Sequence, residues 1–173
     1  GMGSDKSTLR PENMVPSDLD GKPLAGKDGP PVEWPIHTAI HRARPDALAV
    51  AHLHTPYATL FTIAKRKFEP VTLQGAIFAG GVPFYPEAQL ITTPERGENL
   101  LKSIGGKRAV LLRGHGIVVA GPNLQEVLFA SLVLEDDAKK SWQAASLGEV
   151  GTISEEECRA FGAEIALARR AQR

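Results

Sequence analysis

Two stretches decide the fold: Ala47-Leu48-Ala49-Val50-Ala51-His52-Leu53-His54, and Ala109-Val110-Leu111-Leu112-Arg113-Gly114-His115-Gly116-Ile117-Val118-Val119-Ala120. Ala47 to Ala51 is a short apolar run of the kind found in a strand covered on both faces, and it leads straight into two histidines. Ala109 to Leu112 and Ile117 to Ala120 are two more such runs. The four residues between them read as a tight turn that carries His115. Buried strands therefore end in histidine at two separate places.

His52 and His54 are two apart, so on an extended backbone both imidazoles leave the same face and can meet one metal ion. Neutral imidazole suits zinc and its neighbours, and a catalytic metal usually has three protein ligands with one position open. His115 is the natural third. Each histidine also has a plainer reading, as a hydrogen-bonded core pair or the filling of a turn. His37 and His41 compete, because they lie at i and i+4 with Glu33 one turn earlier, a spacing that also binds metal. Glu33 itself reads first as a negative charge at a helix start.

Outward from these stretches, Ile36, Ile40 and Ala43 recur at helical spacing, which predicts a helix over Glu33 to Arg44 ended by Pro45. Tyr57 to Lys67 reads as a helix, and Val71 to Leu73, Gly75 to Phe78 and Gln89 to Ile91 read as strands. Thr93 caps a helix that starts at Pro94 and stops at Gly105-Gly106. A long helix runs from Asn123 to about Leu147 with Gly148 as its stop, and Ser154 to Glu157 opens a last helix reaching near Arg170. Ser17 to Gly21 suggests a short strand and an Asp-Gly turn, hence an edge hairpin. Gly1 to Ser4 reads either as a tag remnant or as the interior of a longer chain.

The chain has 173 residues, enough for one domain with a sizeable core, so residues 1-173 are expected to form a single domain. Hydrophobic residues are 42% and charged residues 23%, ordinary for a globular protein. Lys and Arg total 20, as do Asp and Glu, so no net field gathers nucleic acid or an anionic membrane. That favours a small-molecule partner. The single Cys158 excludes an internal disulfide, and neither a signal peptide nor a long apolar span is visible, which makes the cytoplasm the expected location.

Taken in order, Pro31-Val32-Glu33-Trp34-Pro35-Ile36-His37, Arg44-Pro45-Asp46, Ala49-Val50-Ala51-His52-Leu53-His54 and Leu111-Leu112-Arg113-Gly114-His115-Gly116-Ile117 resemble the class II aldolase/adducin family. The resemblance runs from about Leu9 to Leu147 and takes in Leu134-Glu135-Asp136-Asp137-Ala138. It implies a three-layer α/β/α sandwich around a mainly antiparallel sheet, lacking an N-terminal segment of the family. It also implies one divalent metal per subunit on His52, His54 and His115, with zinc the first expectation and manganese, iron or cobalt as alternatives. Glu33 would be the general acid/base beside it. Cleaving a bond next to a carbonyl leaves an enolate, whose charge a divalent cation stabilises by several kcal/mol.

The resemblance further implies a carbon-carbon lyase and a homotetramer, with the C-terminal helix as a candidate subunit contact. Tyr85 corresponds loosely to a tyrosine that aids protonation, with core packing as its other reading. Arg113 is a candidate for holding a substrate carboxylate, against the alternative of a surface ion pair. Family aldolases of sugar phosphates carry Ser-Ser just before the acid, where this chain has Pro31-Val32, so two hydroxyl donors for phosphate are missing. The expectation is therefore decarboxylation or aldol cleavage of a non-phosphorylated substrate. The alternatives are a sugar-phosphate epimerase and a non-catalytic, adducin-like scaffold.

Overall fold

The computed structural model describes residues 6–8, 10–25 and 28–171, with side chains described over 7–8, 10–25 and 28–165. Gly1 to Ser4 and Leu9 lie outside the described residues.

A four-stranded sheet forms the middle layer, built from β1 (Ala49–Leu53), β2 (Phe84–Tyr85), β3 (Ala109–Leu112) and β4 (Gly116–Gly121) in the order β1-β4-β3-β2. β1 and β3 both run antiparallel to β4, and the two-residue β2 lies parallel to β3. The sheet is mostly antiparallel, yet β3 and β4 are buried along their whole length. Alternation explains this. Ala109, Leu111, Ile117 and Val119 face one core, while Val110, Leu112, Val118 and Ala120 face another, so each run must be apolar at every position.

The helices supply the two covers. α1 (Trp34–Ala43) and α3 (Pro94–Ile104) pack together, contributing Ile36, Ile40, Leu100 and Ile104 to one core. α2 (Pro56–Ile63) and α4 (Leu124–Ala144) cover the opposite face with Ala58, Phe61, Ala130, Leu134 and Ala138. The last helix, α5 (Glu155–Ala171), packs against a 3-10 turn over Gln74–Phe78. No helix among the described residues is long and apolar enough to cross a membrane.

Three expected strands are not strands. Gln74–Phe78 winds into the 3-10 turn, because Gly75 packs on the Asp137 carboxylate and Thr72 Oγ1 accepts the Gly75 N–H. Val71 spends its N–H on Asp137 Oδ2, and Ile91 spends its own on Glu33, so neither 71–73 nor 89–91 offers a ladder to a neighbouring strand. The edge hairpin survives only as a single antiparallel bridge between Ser17 and Pro23. α2 ends earlier than expected, where Lys65 takes a left-handed conformation with φ 54°.

One glycine governs how closely β1 meets β4. A Cβ at Gly116 would stand 2.2 Å from the Leu53 carbonyl oxygen and 3.1 Å from the His54 Cα, and both are backbone atoms that cannot swing away. Overpacking against a fixed wall costs about 1–3 kcal/mol. Gly116→Ala is therefore expected to lower the denaturation midpoint markedly, as read by chemical unfolding, whereas Gly106→Ala, whose Cβ would meet nothing, is expected to leave it within about 0.5 kcal/mol.

Candidate metal centre

Glu33, His52, His54 and His115 each offer a ligand atom, and all four atoms lie within 4.8 Å of one another. They come from three places in the fold. β1 delivers His52 and His54 at its end, with Leu53 between them paired to Ile117 across the ladder. The β3–β4 turn delivers His115, made possible by Gly114 at φ 60°. Glu33 stands at the N-cap of α1, but its side chain makes no cap bond and turns to the cluster instead.

Orientation is fixed one residue at a time. His52 donates from Nδ1 to the Ile117 carbonyl at 3.1 Å, which leaves its Nε2 unprotonated and facing inward. That Nε2 lies 3.2 Å from His54 Nε2 and 3.3 Å from Glu33 Oε2. Glu33 Oε2 is also 3.4 Å from His115 Nε2, while its Oε1 accepts the Ile91 N–H at 2.9 Å. The three imidazole centroids are 4.7 to 4.9 Å apart.

His115 Nε2 is buried and makes no hydrogen bond. An orphaned buried nitrogen costs about 1–3 kcal/mol unless something fills its lone pair. Three converging imidazole nitrogens, one of them orphaned, and one carboxylate oxygen form a donor set that suits a divalent cation of borderline softness. His54 is exposed, so one side of the cluster is open to small molecules. Burial holds the His52 and His115 imidazoles below their ordinary value of 6.5, and so favours the neutral form that ligates.

The competing histidines are elsewhere. His41 Nδ1 is bonded to the Ala47 carbonyl at 2.9 Å, tying the end of α1 to the segment leading into β1. His37 is largely shielded from solvent, and burial, then the neighbouring His52, lowers its pKa. Neither is among the four gathered residues. Tyr85 is a core residue, 1% exposed, with its hydroxyl engaged by Glu87 and Gln89. Arg113 shares the turn of His115, but its Nη1 reaches the Pro86 carbonyl at 3.4 Å.

Sequence patterns missed the groups that hold the frame. Glu135 on α4 accepts the Tyr57 and Ala58 N–H groups at 2.8 and 2.9 Å, clamping the start of α2 just after His54. At the far end of the same helix, Thr62 Oγ1 accepts the Gly114 N–H at 2.9 Å and so supports the turn of His115. Asp137, 1% exposed, binds Val71 and Thr72. Glu135 and Asp137 lie in the quoted Leu134–Ala138 stretch, but nothing in their spacing points to partners more than sixty residues away.

The chain matches the family described as class II aldolase and adducin N-terminal domain over residues 1–142. It belongs to the class II aldolase and adducin family. The 3,4-dihydroxyphthalate decarboxylase of Arthrobacter keyseri is 33% identical over 141 residues, covering 76% of this chain and 57% of that protein. The 5-deoxy-D-ribulose 1-phosphate aldolase of Bacillus thuringiensis serovar kurstaki is 30% identical over 156 residues, 90% of this chain and 72% of that protein. A solved L-fuculose 1-phosphate aldolase superposes with a TM-score of 0.85 at 27% identity, over 95% of this chain and 77% of that one. The chain thus spans little more than half of the decarboxylase it resembles. The family, the α/β fold and the mostly antiparallel sheet agree with expectation.

Two outcomes follow from this geometry. Glu135→Ala removes a carboxylate from two backbone donors and is expected to destabilise the protein by about 1.5–3 kcal/mol in equilibrium unfolding. In the metal-free protein burial holds His52 and His115 below 6.5, so the unfolded chain takes up protons first as pH falls. Its stability should be full above about pH 7 and decline through pH 6.5 and below, measured as the pH dependence of the unfolding midpoint.

Proposed function

We propose that the chain is the metal-binding core of a carbon-carbon lyase, with His52, His54 and His115 as ligands to one divalent cation and Glu33 as acid/base. The observation that carries this is the convergence of three inward-facing imidazole nitrogens and one carboxylate oxygen within 4.8 Å. Zinc is the first choice for three imidazoles, with manganese, iron and cobalt as alternatives. Intact ligands and acid speak against the scaffold alternative.

A divalent cation held there supplies positive charge to a substrate oxygen on which negative charge develops. Glu33 does the proton work. Its Oε1 is pinned by the Ile91 N–H, so Oε2 is the atom free to hold or release a proton. Glu33 Oε2 first takes the proton from the hydroxyl or carboxyl group of the leaving fragment; as the carbon-carbon bond breaks, its electron pair moves toward the substrate oxygen, and Glu33 returns that proton to the carbon that lost its partner.

Non-phosphorylated hydroxy acids or hydroxy-carbonyl compounds fit best. Pro31 and Val32 lie exposed before Glu33 and bring no hydroxyl to a phosphate. The resemblance to dihydroxyphthalate decarboxylases supports an acidic substrate, for which Arg113, in the His115 turn, is the candidate carboxylate contact. Tyr85, with its hydroxyl occupied, would act through packing. The reading extends to a cytoplasmic homotetramer of single-domain subunits. Exposed Leu124, Leu128 and Leu132, spaced one turn apart on α4, support association.

Elemental analysis is expected to find about one metal per wild-type chain and little in His52→Ala or His115→Ala. Undiminished metal in both variants would overturn the ligand set. Glu33→Gln should keep its metal yet lose about a hundred- to ten-thousand-fold in turnover of dihydroxybenzoate-type acids or hydroxy-carbonyl substrates.

A further inference from the structure

Outside the four-residue cluster, a cleft of about 700 Å³ opens between the end of α2, residues 80–86 and the start of β3. Its volume is that of a small-molecule site. Phe61, Phe68, Val82 and Leu111 form a buried apolar floor, and Phe84, 42% exposed, adds a further apolar side chain. Around it stand Lys65, Arg66, Lys67, Lys107 and Arg113, facing one acid, Glu69.

This is a strong local imbalance in a chain whose net charge is zero. Among the described residues, none of the five cations forms a salt bridge. Lys107 Nζ and Arg113 Nη1 reach only backbone carbonyls, Ala79 and Pro86, each at 3.4 Å. Glu155, the acid near Lys107, is paired with Arg159. The negative end of α2 accounts for cations at 65–67. It does not account for Lys107 and Arg113, which arrive from before and after β3. Lys65 also occupies the left-handed position that closes α2, with the Arg66 N–H donating to the Phe61 carbonyl at 2.9 Å, a place that favours glycine.

We infer that this cleft binds a small organic anion with a flat apolar body, an aromatic carboxylate in its simplest form, at a site separate from the histidine cluster. The apolar floor takes the ring, and Lys65, Arg66, Lys67 and Lys107 take the charge, with Arg113 left to the substrate of the histidine site. The inference goes beyond the proposed lyase activity and stands or falls on direct binding, without turnover.

The test is titration of naphthalene-2-carboxylate into the ¹⁵N-labelled full chain, following backbone amide shifts. The expected result is saturable movement centred on Lys67, Gly80 and Gly81, unchanged in His52→Ala. Binding should weaken about tenfold or more in the Arg66→Glu, Lys107→Glu double variant and for neutral 2-naphthamide. These side chains are exposed, and Arg66→Gln with Lys107→Gln gives a milder pair should the charge reversals unfold the chain. Shifts centred on His52 to His54, equal binding by the charge-altered variants, or equal binding of inorganic phosphate alone would overturn it.

Discussion

The contact on which the site depends is the close passage of the end of β1 over the start of β4, where the Leu53 carbonyl meets a residue without a side chain at Gly116. Antiparallel pairing then sets Leu53 opposite Ile117 and His52 opposite Val118. The same ladder presents the Ile117 carbonyl to His52 Nδ1, so strand register and imidazole tautomer are decided together. A shift by one residue would turn His52 and His54 to the other face of the sheet, away from His115.

Helix α2 makes that arrangement rigid. Glu135 clamps its first turn immediately after His54, and Thr62 in its last turn supports Gly114 beside His115. Two histidine-bearing segments more than sixty residues apart are thereby held to opposite ends of one short helix. Buried carboxylates normally cost stability unless their oxygens are satisfied. Asp137 meets that condition with the Val71 N–H and the Thr72 hydroxyl.

The low dielectric around the cluster has a chemical use. Burial disfavours the charged imidazolium, keeping His52 and His115 in the form that offers a lone pair. Glu33 divides its two oxygens, one tied to the Ile91 backbone and one facing the imidazoles. Family relatives named as decarboxylases and as aldolases are compatible with one such frame, since both reactions break a carbon-carbon bond and leave charge on an adjacent oxygen.

The sequence by itself determined the layers and the ligand candidates. Apolar runs at 109–112 and 117–120 require strands covered on both faces, His-x-His at the end of a third run requires two imidazoles on one side, and helical periodicity at 36–43 and 124–138 supplies covers. Those signals are local, with periods of two or 3.6 residues. Only the tertiary structure brought His115, and not His37 or His41, beside His52 and His54, because the ring that converges is set by strand register and by the Gly114 turn. It also decided that residues 74–78 wind into a 3-10 turn and that Ile91 serves Glu33 in place of a strand. The last depends on the Glu33 carboxylate taking the Ile91 N–H, and the 3-10 turn on Asp137, which holds Thr72 and packs against Gly75; no local pattern records either contact.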